Sequence, residues 1–146
     1  MKITPDGMTW MLVYLFLFNF YHGLELMMKG LTFKVSKDVK LDHNIESIYK
    51  NLASMPDGIS NELISLFSKY IVDDSPFHQF FKDNKSSPKD FFNVLKYPES
   101  KNKTRFSFST IRGNEDNGLK RFIEIRNDII NIRTEIINWY TNRFWA

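Results

Sequence analysis

The sequence predicts an all-α fold: an up-and-down bundle of four to five helices forming one domain over residues 1–146, with a small β-hairpin near residues 94–111. Three observations carry this expectation. Apolar residues recur with a period near 3.6 at both ends of the chain, helix starts and stops punctuate the middle, and one short stretch alternates apolar with polar.

Thr4-Pro5-Asp6 opens the first helix, with a Thr that accepts from free N–H groups, a Pro at the first helical position and an acid facing the helix dipole. The helical pattern then continues to about Lys34. Trp10, Tyr14, Leu17, Tyr21, Leu24, Met28 and Leu31 share one stripe, and Phe16, Phe20 and Met27 widen it, so this helix is expected at the centre of the bundle. Asn19, Gly23 and Gly30 fall on the opposite side; either another backbone approaches there or the glycines only weaken the helix. Two charges, Glu25 and Lys29, interrupt the run. Lys29 is expected at the flank, its stem packed and its amine in water.

Asp42-His43-Asn44 restarts a helix carrying Ile45, Ile48, Tyr49 and Leu52, with capping as the reason for His43, and Met55-Pro56-Asp57-Gly58 turns the chain. A third helix covers about Ser60 to Val72 with Leu63, Ile64 and Phe67 at helical spacing. Ser75-Pro76 and Ser87-Pro88 each pair a cap with a proline and open short helical pieces rich in phenylalanine. Tyr97-Pro98 ends the second piece, because the residue before proline is pushed out of the α region. "RFSFSTI" after it sets Phe106 and Phe108 against Ser107 and Ser109, a strand pattern that can pair with Val94 to Tyr97. Gly113 to Asp116 then caps a long helix from about Asn117 to Arg143.

Composition narrows the functional classes. With no cysteine among 146 residues, disulfides, thiol chemistry and Cys-ligated metals are excluded, which suits a cytoplasmic protein. A net charge of +3 is far from the dense basic stripe of a dedicated nucleic-acid binder, so RNA is permitted as a partner rather than demanded. The strictly apolar stretch from Met8 to Phe18 is about half of the ~20 residues a membrane-spanning helix needs, and Pro5-Asp6 stands where a signal peptide would be basic. No phosphate-binding glycine loop, nucleophile elbow, hydride-cofactor fingerprint or metal spacing is present, so neither a cofactor nor a metal is expected.

On a helical wheel, Leu119, Phe122, Ile129, Ile130, Ile136, Ile137, Tyr140 and Phe144 form the core-facing arc of the last helix, with Arg126 and Arg133 in its middle. Glu124, Asn127, Asp128, Asn131, Glu135 and Asn138 take the solvent side. A guanidinium turned into a core must be paired or open onto a cleft. Glu25, also turned inward, is therefore expected to meet Arg126 or Arg133, either as a structural ion pair or as the wall of a polar cleft.

The residues also carry a family resemblance. "HGLELMMKGLTF" followed by "LDHNIESIYKNL" resembles the first two helices of HEPN-type (higher eukaryotes and prokaryotes nucleotide-binding) proteins; "FFNVLKYPESKNKTRFSF" is similar to a segment of several bacterial members, and the terminal helix with Arg126-Asn127 to their last helix. The resemblance implies one HEPN-like domain, commonly a homodimer, met in toxin–antitoxin pairs and anti-phage defence and often beside a nucleotidyltransferase. Many members are metal-independent ribonucleases whose site joins an Arg to a His four to six residues later. Here the polar Asn127 follows Arg126, but Ile130, Asn131 and Ile132 occupy the positions where that His would stand. Neither Asn nor Ile exchanges a proton near neutral pH. The expectation is thus a degenerate, non-catalytic binding protein with Glu25, Arg126 and Arg133 as binding residues. A divergent ribonuclease using Arg126, Asn127 and Asn131, and a small immunity or antitoxin-like module, are the alternatives.

Overall fold

The computed structural model of the chain describes residues 5–37, 42–55, 58–72, 77–96 and 115–145. They form α1 (Pro5–Ser36), α2 (Ile45–Ala53), α3 (Asn61–Ile71), α4 (His78–Asp83), α5 (Pro88–Lys96) and α6 (Glu115–Phe144), and no strand occurs among the described residues.

The helix boundaries follow from local chemistry. Asn44 caps α2, its side-chain oxygen accepting from the Ser47 N–H at 3.3 Å, and Ser60 caps α3 by accepting from Leu63 N–H at 3.2 Å. Ser87 and Asp90 form a reciprocal box at the start of α5: the Ser87 hydroxyl accepts from Asp90 N–H and donates to the Asp90 carboxylate. α4 starts at His78 without a side-chain cap, and Ser75-Pro76 lies outside the described residues. Among the described residues there are six helices rather than four to five, because both short phenylalanine-rich pieces complete their turns. The expected hairpin loses one arm: Val94 to Lys96 are the last turn of α5, and the other arm, Arg105 to Ile111, lies outside the described residues.

α1 occupies the centre as its stripe predicts, with Leu17, Tyr21, Leu24, Met28 and Leu31 all buried. Around Tyr21 and Tyr70 the aromatics from α1, α3, α4 and α5 interlock edge to face: Phe20 on Tyr70 at 4.8 Å, Tyr21 on Phe91 at 5.6 Å and Phe80 on Phe91 at 4.9 Å between ring centroids. Such contacts add to burial because ring edges and faces carry opposite partial charge. α3 runs antiparallel to α6, since Ser60 reaches Glu135 at one end and Lys69 reaches Asp128 towards the other. α1 and α6 run in the same direction: Phe16 meets Phe122 at 5.1 Å between rings, and eighteen residues further along each helix Lys34 Nζ lies 3.4 Å from the Tyr140 hydroxyl.

The roll of α6 departs from the expected arrangement in part: Glu124, Asn127, Asn131 and Asn138 are exposed as expected, but the buried face is displaced. Its buried residues are Ile125, Asp128 and Ile132, flanked by half-buried Ile129, Ile136 and Trp139. Leu119, Ile130, Ile137, Tyr140 and Phe144, expected in the core, are exposed, as are Arg126 and Arg133. α6 carries apolar residues on two faces, and periodicity alone selects the wider one. The narrower face goes inward because Asp128, expected in solvent, meets the buried Tyr70 hydroxyl and the half-buried Lys69 there.

Candidate functional site

Three arrangements of polar and apolar side chains stand out. The first surrounds Glu25, which is 1% exposed on α1. Lys29, one turn on, donates to its Oε1 at 2.8 Å, and His43, arriving from the residue before the α2 cap, places Nδ1 at 2.9 Å from the same oxygen. An ionised carboxylate only accepts, so the proton of that bond sits on His43 Nδ1. His22 Nδ1 approaches Oε2 at 3.6 Å but makes no hydrogen bond among the described residues, and its ring stacks on Phe18. Neither Arg126 nor Arg133 is an ion-pair partner of Glu25; both are exposed on α6, which corrects the expected pairing. The correction extends to Lys29, whose amine turns in to Glu25 rather than out to water, and to His43, since Asn44 performs the capping.

The second arrangement ties α3 to α6. Asp128 Oδ2 accepts from the Tyr70 hydroxyl at 2.5 Å and from Lys69 Nζ at 2.6 Å, and Lys69 also reaches Glu124 Oε1 at 2.7 Å. The Tyr21 hydroxyl donates to the Tyr70 carbonyl at 3.2 Å directly beneath. Burial pushes both phenols far above the ordinary tyrosine range, and at Tyr70 the bond to the Asp128 carboxylate pushes the same way. Burial pulls the Lys69 amine down, but hydrogen bonds to Asp128 and Glu124 outweigh it and hold the amine above its usual value. Every member of this set is satisfied inside the fold, so it fastens helices together and offers no open reacting position.

The third arrangement is on the outside. Along α6, Leu119, Ile123, Arg126, Ile130, Arg133, Ile137, Tyr140 and Phe144 alternate in steps of four and three, the heptad spacing of a helix seam, and all eight are exposed. Ile123, Ile130, Ile137 and Phe144 keep between 44% and 48% of their surface open, and Leu119 keeps 64%. Arg126 and Arg133 occupy equivalent positions seven residues apart, with no ion-pair partner among the described residues; Asn127 and Asn131 stand exposed beside them. Beside this seam, between α6 and the parallel α1, runs an apolar groove of about 230 Å³ walled by Phe16, Gly23, Met27 and Ile129. Leu12, Leu15, Leu26 and Phe33 continue the open apolar surface on the α1 side. Among the described residues no backbone approaches Gly23 or Gly30, since a Cβ at either would meet nothing within 4 Å.

The structure thus separates the residues that the sequence brings together. Glu25 belongs to a histidine–lysine cluster on α1, while Arg126, Asn127, Asn131 and Arg133 share the outer surface of α6. The four–three spacing of the seam is present in the letters, but the helical wheel turns all of its apolar residues except Ile123 towards the core. Asp128 gave no signal of its own, since its partners Lys69 and Tyr70 lie 58 or more residues away. Among the described residues no group of three His, Cys, Asp or Glu is placed to hold a metal ion, and no helix is long and apolar enough to cross a membrane. No protein-family model, curated protein sequence or solved structure matches the chain.

Proposed function

We propose that the chain is a HEPN-like, cytoplasmic helical protein that acts by binding another protein rather than by catalysis, in prokaryotic toxin–antitoxin or anti-phage biology. The observation that carries the binding reading is the open α6 seam with its adjoining groove, because contiguous exposed apolar surface rimmed by polar residues is the mark of a docking site. The biological setting comes from the sequence motifs around Glu25, Asp42 and Tyr97-Pro98. That resemblance supplies the classes of partner: a second copy, a nucleotidyltransferase, or the opposite member of a toxin–antitoxin pair.

One observation favours ribonuclease activity as a second reading. Arg126 and Arg133 are open to solvent beside Asn127 and Asn131, a set able to grip a phosphate. Transfer through a ribose hydroxyl also needs a proton acceptor, and His22 and His43 are gathered at Glu25 instead.

Two measurements test the proposal. The wild-type chain and an Ile130→Asp/Ile137→Asp variant, each checked for helix content by circular dichroism, are affinity-purified from cells of the native source. Proteins retained by the wild type and lost from the variant support docking through the seam; an identical set from both overturns it. Purified chain is also incubated with total RNA beside Arg126→Ala. Intact RNA in both supports a non-catalytic role, whereas cleavage abolished by Arg126→Ala establishes the ribonuclease reading.

A further inference from the structure

We infer that the occupant of the α6 seam is an acidic amphipathic helix of another protein, apolar along one stripe and carrying carboxylates seven residues apart, an inference that rests on the docking reading above. Ile123, Ile130 and Ile137 supply the apolar half of the recognition and the two exposed arginines the charged half.

Size argues for a helix as the ligand. The seam from Leu119 to Phe144 extends about 38 Å at 1.5 Å per residue. Its six apolar side chains are each roughly half open, so they present about 500 Å² if a fully exposed side chain of this size offers about 150–200 Å². A helix laid along them, contributing as much again, buries about 1,000 Å² of apolar surface before its polar rim is counted, close to the roughly 1,200–2,000 Å² of a stable, specific interface. The neighbouring groove gives that helix somewhere to insert side chains.

Charge argues against a second copy as the occupant. A parallel copy sets Arg126 on Arg126 and Arg133 on Arg133. An antiparallel copy, in the register that matches all eight seam positions, brings Arg126 within four residues, about 6 Å of rise, of the second copy's Arg133. Either way four guanidinium groups crowd an apolar seam that has no carboxylate in it. Opposite charges at the facing positions of another helix remove that repulsion and turn it into attraction, as charged positions do when they set partner choice in coiled coils. Spacing of seven fits carboxylates on a helix running in either direction, so the arginines select chemistry without fixing orientation.

The experiment uses the full chain and two synthetic amphipathic peptides about four heptads long, identical except that two positions seven residues apart are glutamate in one and lysine in the other. Binding is read by fluorescence anisotropy, with sedimentation to establish the state of the free chain. The glutamate peptide is expected to bind about tenfold more tightly, since each charge pair contributes modestly at an exposed site. Arg126→Glu/Arg133→Glu, a surface change whose fold is confirmed by circular dichroism, is expected to reverse the order. Equal binding of both peptides overturns the acidic-partner inference and leaves docking standing. Failure of both to bind overturns the docking reading as well. A wild-type dimer that Ile130→Asp dissociates overturns the inference in favour of a second copy.

Discussion

Replacement of Asp128 by alanine tests the roll of α6 more sharply than any other single change. In the fold, Asp128→Ala removes the acceptor of the Tyr70 hydroxyl, which is fully buried, and one of two acceptors of Lys69. A buried hydroxyl left without a partner costs about 1–3 kcal/mol. The Lys69 contribution is smaller, up to about 1 kcal/mol, because its side chain is 32% exposed and it keeps Glu124. The expected loss is therefore about 1–4 kcal/mol, a large share of the 5–15 kcal/mol that holds a typical domain together. At about 3 °C per kcal/mol for a chain of this length, the midpoint falls by about 3–12 °C. Urea unfolding followed at 222 nm measures the change, and Tyr70→Phe completes a double-mutant cycle in which the two residues couple by about 1 kcal/mol or more. If Asp128 faced water, the single change would cost less than about 0.5 kcal/mol and the cycle would be additive. Either of those results refutes the reasoning.

Further expectations follow from burial and open space elsewhere. Gly23→Ala and Gly30→Ala should each stabilise by about 0.5–1 kcal/mol, because the added methyl meets nothing and the helix gains propensity; a loss at either site in chemical denaturation would contradict this. Gly58→Ala should instead destabilise by about 1–3 kcal/mol, since its Cβ would fall 2.9 Å from the Met55 carbonyl oxygen. Glu25→Ala should cost about 2–4 kcal/mol by leaving the mostly buried Lys29 amine beside no carboxylate, and Glu25→Ala/Lys29→Ala should cost less than the two single changes together. For Tyr21 and Tyr70 the raised native pKa fixes the sign: both stay protonated in the fold while unfolded phenols ionise near pH 10, so their contribution is whole below that pH and lost above it. Each phenol removes about 1.4 kcal/mol per pH unit from there upward, and Tyr70→Phe should visibly flatten the decline of the urea midpoint between about pH 10 and pH 11.

How far the letters reveal the fold depends on how many apolar faces an element has. α1 has one dominant stripe, and the residues assigned to it from Leu17 to Leu31 are the buried ones. The Ser87 cap is legible for a similar reason, since it acts on an N–H group three residues away and its signal is local; at α2 the capping expected of His43 falls to its neighbour Asn44, and Ser60 caps α3 at the edge of the expected helix. α6 was misjudged because two apolar faces compete and the decision rests on Asp128 meeting Tyr70 across 58 residues. The Glu25 cluster was half legible. Its inward direction follows from the α1 stripe, and Lys29 is the neighbour that helical spacing allows, but His43 comes from beyond a turn, and the bidentate geometry of arginine points to Arg126 or Arg133 instead.

Two greasy sides on one helix leave its rotation about its own axis poorly determined by hydrophobicity. A turn of about two fifths of a circle would exchange Ile125 and Ile132 for Ile130 and Ile137 at little change in buried carbon. The Tyr70–Asp128 bond supplies the missing torque, acting on α6 as a key acts in a shaft. An apolar residue of similar size at position 128 would therefore do something different from alanine. It would keep the helix packed while freeing its angular setting, and the molecule would show a blurred outer surface in place of one defined row of isoleucines and arginines.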